Sequence, residues 1–153
     1  MDKPFQRKGV ASNSSVGKAF ELKAQLFFAS INLNLHPGLS IPIGINGTKL
    51  HSFDLGDSTA KVLVECKSHK WTEGRNVPSA KMTEWNEAMY YFYAAPGEFR
   101  KILFVLRDYN QRRNETLAQY YIRTYLHLIP KNVEIWEFDE NKNKATKLIL
   151  QKN

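Results

Sequence analysis

A single cysteine, Cys66, occurs in the 153 residues. One thiol excludes an internal disulfide framework and a cysteine-based zinc site, and it suits a reducing, cytoplasmic setting. Long apolar runs are missing too. None approaches the ~18 residues that span a bilayer, so no membrane partner is expected. The opening residues, Met1 to Lys8, carry charge with no apolar stretch behind them, which argues against a secretory signal there. Acidic groups are in short supply, 15 Asp+Glu against 22 Lys+Arg, for a formal net charge of +7. That excess favours a polyanionic partner such as nucleic acid. What is present is ordinary globular material, 42% hydrophobic and 24% charged. A chain of this length can bury ~70% of its unfolded surface in one domain.

The expected organisation is a flexible basic arm over residues 1–14 and a single domain over 15–153. Ser14 and Ser15 offer N-cap oxygens, and Val16, Ala19, Phe20, Ala24, Phe27 and Phe28 keep helical spacing, which predicts a helix at about 16–31. Pro37-Gly38 reads as a break. An isoleucine-rich strand over 39–45 then meets Asn46-Gly47, a strong hairpin signal, and should return antiparallel over 48–55. A third strand, 61–68, completes a meander. Met82, Trp85, Met89, Phe92 and Tyr93 mark a second helix between Pro78 and Pro96-Gly97. Ile102 to Leu106 is a continuous apolar run that suits a strand covered on both faces. Thr116-Leu117-Ala118-Gln119 is a capping-box pattern opening a third helix, and two strands follow at 133–138 and 145–150. A strand–helix–strand crossover lays the fourth strand parallel to the third. The fold class is therefore α/β: a three-layer sandwich with a mixed sheet, strands 1–3 forming an antiparallel meander, flanked by helices.

The chemistry concentrates in Glu65-Cys66-Lys67. Alternate strand residues share a face, so Glu65 and Lys67 project together at the end of an apolar strand, where charges are costly unless paired or metal-bound. If the hairpin tip falls at Thr59-Ala60, Asp54 stands opposite Glu65, with Cβ atoms ~5 Å apart. Two such carboxylates can hold Mg²⁺ through oxygen, with waters completing the shell, and Mn²⁺ is expected to substitute. Lys67 can stabilise charge on an attacked phosphate. Glu21 on the first helix is a further acidic contact. Gly56-Asp57 competes as a turn, and in that register Asp57 replaces Asp54 unless a bulge at Gly56 restores the pairing.

Asp54, ten intervening residues and then Glu65-Cys66-Lys67 on an apolar strand resemble the PD-(D/E)XK nuclease superfamily, the restriction-endonuclease-like fold. The order helix, three strands, helix, strand over about 16–107 is similar to that family's core, and Glu21 matches an acidic position on its first helix. Phe53 stands where the family's name has proline. The resemblance implies Asp54 and Glu65 as Mg²⁺ ligands, Lys67 as the catalytic lysine and Glu21 as an accessory acid. At Cys66 only the backbone carbonyl would reach the metal, since the side chain reads as a small buried hydrophobe.

Residues 68–81 leave the active strand with basic groups, an indole and hydroxyls, and Lys70, Arg75, Ser79 and Lys81 are the candidate contacts to a nucleic-acid backbone. Trp71 folded onto the core is the plainer reading. Arg107, Arg112 and Arg113 would extend a basic groove, and His69 reads as structural. The leading expectation is a Mg²⁺-dependent deoxyribonuclease that cuts DNA with a metal-activated water, as a homodimer where two strands are cut. The alternative is a non-catalytic nucleic-acid-binding module on the same fold, and a protein-interaction role is the third.

Overall fold

The computed structural model describes residues 13–150. The expected arm lies outside the described residues as far as residue 12, and residues 13 and 14 already belong to the first helix. The elements in chain order are α1 (Asn13–Ser30), β1 (His36–Ile43), β2 (Lys49–Asp57), β3 (Val62–Lys67), α2 (Ser79–Ala94), β4 (Arg100–Leu106), β5 (Tyr109–Asn110), β6 (Glu115–Thr116), α3 (Leu117–Tyr125), a 3₁₀ turn (Leu126–Leu128), β7 (Val133–Asp139) and β8 (Lys144–Lys147).

Six strands form one mixed sheet in the order β1-β2-β3-β4-β7-β8. The meander β1-β2-β3 is antiparallel, β3-β4 and β4-β7 are parallel, and β8 returns antiparallel on the far edge. The crossovers from β3 to β4 and from β4 to β7 advance in one direction, so their common hand puts α2 and α3 on the same face. There Trp85, Met89, Phe92, Leu117 and Tyr121 pack on Leu63, Leu103, Val105 and Ile135. The other face is left to α1, whose Phe20, Ala24 and Phe28 cover Leu55, Val64, Ile102, Phe104 and Phe138. β4 is therefore buried on both faces, as its unbroken apolar run predicts.

Local chemistry departs from the expected boundaries at several places: β2 runs on to Asp57, past the expected 55, β8 stops at Lys147, short of the expected 150, and three further differences have a plain cause. β1 runs through Pro37-Gly38 instead of starting after it, because an edge strand tolerates a missing N–H and Gly38 supplies a φ of 69°. Asn46-Gly47 lies inside a loop of residues 44–48, longer than a two-residue turn, between the paired ends Ile43 and Lys49. β5 and β6 form a small separate hairpin that two-residue strands do not announce. The capping box does form: Thr116 Oγ1 accepts from the Gln119 backbone N–H, and Gln119 Oε1 accepts from that of Thr116.

Candidate active site

β2 carries through Gly56-Asp57 with no turn there, and pairs Leu55 with Val64, Gly56 with Leu63 and Asp57 with Val62. The turn falls at residues 58–61, closed by Asp57 Oδ2 accepting the Ala60 N–H at 2.6 Å. Asp57 is thus the last residue of β2, its side chain closing the turn and lying 3.7 Å from His36 Nε2. Gly56 is needed for closeness: a Cβ there would lie 2.7 Å from the Val62 carbonyl oxygen and 2.7 Å from Leu39 Cδ2.

The pairing ends at Leu55–Val64; continued one step, the same register would set Asp54 opposite Glu65, and the two side chains interact. The strands part here, and a side chain closes the gap: the Cys66 N–H donates to Asp54 Oδ2 at 2.8 Å. β2 also turns over at this point. Phe53 packs in the α2-side core and Leu55 in the α1-side core, although residues two apart in a regular strand share a face. On β1, Gly38 stands across from Asp54, between the pairs Leu39–Phe53 and Pro37–Leu55.

Asp54 therefore sits where both layers meet, and its charge reaches acids on either side. Glu65, buried at the end of β3, is pushed up to about 9 by burial first, then by the charge of Asp54 and a hydrogen bond with it, against the pull of Lys67. Glu21 on α1 is raised by burial and then by Asp54, while Lys18 at 3.6 Å draws it down. Lys67 is half-buried two residues along from Glu65. Burial raises the Cys66 thiol well above its ordinary range, so it stays protonated, and its side chain packs toward the α1-side core. The structure thus brings Asp54, Glu65, Lys67 and Glu21 together.

One neighbour was not anticipated. His51 Nε2 lies 3.3 Å from Glu65 Oε1, its ring stacked on Tyr91 of α2 at 3.9 Å between centroids. In a regular strand residues 51 and 54 point to opposite faces. The turnover of β2 brings both to one site, and no sequence signal marks it. Burial lowers the His51 imidazole, with the Asp54 charge opposing.

The two basic loops at the carboxyl ends of β3 and β4 are joined. Trp71 is buried, as the plainer reading had it, its backbone N–H on Asp108 Oδ2 at 2.9 Å and its indole N–H on Asp108 O at 2.8 Å. Arg75 donates to the Tyr109 carbonyl and lies 3.6 Å from Asp108, Arg112 donates to the Gly74 carbonyl at 2.6 Å, and Arg113 lies over Trp71 and Tyr120. Arg75 and Arg112 are thus committed to holding the loops. Lys70 is exposed, Ser79 opens α2, and Lys81 is exposed beside Glu84 at 3.6 Å. A cleft of about 220 Å³ between α1 and the ends of β3 and β4 is lined by Ser15, Lys23, Ser68 and Lys70 among others. Roomier cavities of about 510 Å³ lie elsewhere, one around Tyr90, Tyr93 and Leu128, the other around Lys131 and Leu148. His69 is structural, accepting the Trp85 indole N–H at 2.8 Å and lying 3.2 Å from Glu84.

Among the described residues, no group of three or more His, Cys, Asp or Glu is placed to hold a metal ion. No helix among them is long and apolar enough to cross a membrane. Comparison with known protein families, with curated proteins and with solved structures found no match.

Proposed function

We propose that this chain is a Mg²⁺-dependent endonuclease of the PD-(D/E)XK, restriction-endonuclease-like type, hydrolysing phosphodiester bonds in DNA. The observation that carries the reading is the meeting of Asp54 and Glu65 across parted strands, with Lys67 on the same strand, in a chain of net charge +7. The donor set suits a hard cation. Mg²⁺ is bound through one or two carboxylates and keeps several waters, so it does not need a cage of three side chains. Burial first, and then the charge of Asp54, raise the affinity of Glu65 and Glu21 for protons, and the nearby Lys67 and Lys18 do not offset this.

Asp54 and Glu65 would hold the ion, joined by the Cys66 carbonyl, and Mn²⁺ would substitute. Asp54 Oδ2 accepts the Cys66 N–H and Glu65 Oε1 lies by His51, and a cation would take the place of the proton in the hydrogen bond between the two carboxyls. Bound there, a divalent ion lowers the pKa of a coordinated water and polarises a phosphoryl oxygen. Lys67 would neutralise charge growing on the phosphoryl oxygens, worth most beside a half-buried carboxylate pair. Glu21 would orient a water from the α1 side. Lys70, Ser79 and Lys81 would carry the flanking phosphates, while Arg75 shapes the loop that presents them. A cytoplasmic setting goes with the reading.

Nicking of supercoiled plasmid with Mg²⁺ tests it. The expected result is relaxation by the wild-type chain and a loss of at least about 100-fold in Glu65→Ala and Lys67→Ala, since each removes stabilisation of transition-state charge. Unchanged cutting in both variants would remove the assigned site.

The lack of a three-donor group among the described residues favours one second reading, a nucleic-acid-binding module without catalysis. It requires salt-sensitive retention of DNA and no metal-dependent cutting.

A further inference from the structure

We infer that His51 is a positioning residue of the proposed metal site: it fixes Glu65 by occupying Oε1 and so turns Oε2 toward the cation. The inference rests on the metal-site reading above and adds a residue to it. Three observations converge. His51 Nε2 stands 3.3 Å from Glu65 Oε1, within reach to donate a hydrogen bond. The imidazole is itself held, stacked on Tyr91 at 3.9 Å and 21° and set edge-on to Phe53 at 4.6 Å and 84°. Phe53 belongs to the α2-side core and the partly buried Tyr91 packs against it, so the ring is anchored on packed structure. The arrangement mirrors that at the partner acid, where the Cys66 N–H takes Oδ2 of Asp54. Beside the hydrogen bond they make with each other, each acid thus has a further partner, Asp54 a strand N–H and Glu65 a clamped imidazole. A carboxylate with its rotation fixed meets a cation without first being ordered, and loss of such an outer partner typically weakens metal binding or activity.

The test reads ion binding directly. Mn²⁺ is titrated into the full chain at pH 7.5, the free aqua ion is followed by electron paramagnetic resonance, and thermal melts check each variant's folding. His51→Phe keeps a ring to stack on Tyr91 and removes the donor, whereas His51→Gln keeps an N–H on a longer stem. The expected result is an Mn²⁺ Kd raised about 10–100-fold in His51→Phe, with His51→Gln recovering most of that loss. Should His51→Phe fail to fold, His51→Asn, too short to reach Glu65, replaces it with the same expectation. Wild-type affinity in a folded His51→Phe, with binding abolished by Glu65→Ala, overturns the role of His51 and leaves the metal site standing. Mn²⁺ binding that is absent from the wild type, or indifferent to Glu65→Ala, overturns the metal-site reading and this inference with it.

Discussion

Glu65 is a carboxyl whose ionised form its surroundings disfavour. Val62, Leu63 and Val64 carry it into the sheet, where burial and Asp54 push it up to about 9. A carboxyl raised in the folded state contributes stability that is full below its ordinary range near 4.5 and is lost as pH rises toward 9. Glu65→Gln should therefore be more stable than wild type at pH 8 in the absence of metal, while ending cleavage. Denaturant midpoints from pH 5 to 9 check this, and a less stable Gln variant at pH 8 would contradict it. Mn²⁺ should close the gap by stabilising wild type alone. At Gly56 the expectation is opposite in sign. A methyl group directed at the Val62 carbonyl should cost about 1–3 kcal/mol in Gly56→Ala, read from the same midpoints. At this scale the sequence shows Asp54, Glu65 and Lys67, because strand parity and hairpin arithmetic place them. It hides His51, because parity fails at Asp54 where β2 turns over.

Among elements, the loop leaving β3 is held by aromatic and carboxylate anchors. Trp71 donates to Asp108, and His69 Nδ1 accepts a hydrogen bond from the indole N–H of Trp85 on α2. Burial lowers the His69 imidazole to about 4, below its ordinary 6.5. Its neutral form belongs to the fold, so the associated stability is present above 6.5 and is lost as pH falls through about 4. Chemical denaturation at pH 7 and pH 4.5 should show wild type losing more stability on acidification than His69→Gln; equal losses would remove His69 from that account. Thr116-Gln119 announces its helix because both capping partners are local. The β5–β6 hairpin is not announced because its strands have two residues each, and the run of β1 through Pro37 is not, because pairing with β2 decides it.

For the whole molecule, two crossovers in one direction account for the layers, and the order of elements in the sequence was sufficient to derive the mixed sheet. Glu65 and Lys67 end β3 at the carboxyl edge of the parallel strands, where open α/β sheets present their sites. The same edge gathers the loops bearing Lys70, Arg75, Arg112 and Arg113. Net charge alone does not reveal that Arg75 and Arg112 serve backbone carbonyls. DNA binding should weaken steeply with salt, and Lys70→Ala and Lys81→Ala should each reduce the log–log salt slope by about 1. Arg75→Ala should lower thermal stability instead. Filter binding across a salt series, with melts in parallel, separates the two effects. A homodimer would supply the second cut of a duplex, and sedimentation at cleaving concentrations reads it.

The central claim is that Asp54 and Glu65 together take a divalent ion. Crystals soaked in Mn²⁺ and measured for anomalous scattering test it most directly. The account predicts a single strong peak coordinated by both carboxylates, with Lys67 alongside and His51 on the outer oxygen of Glu65. Full-occupancy peaks elsewhere, with no density between Asp54 and Glu65, would contradict it.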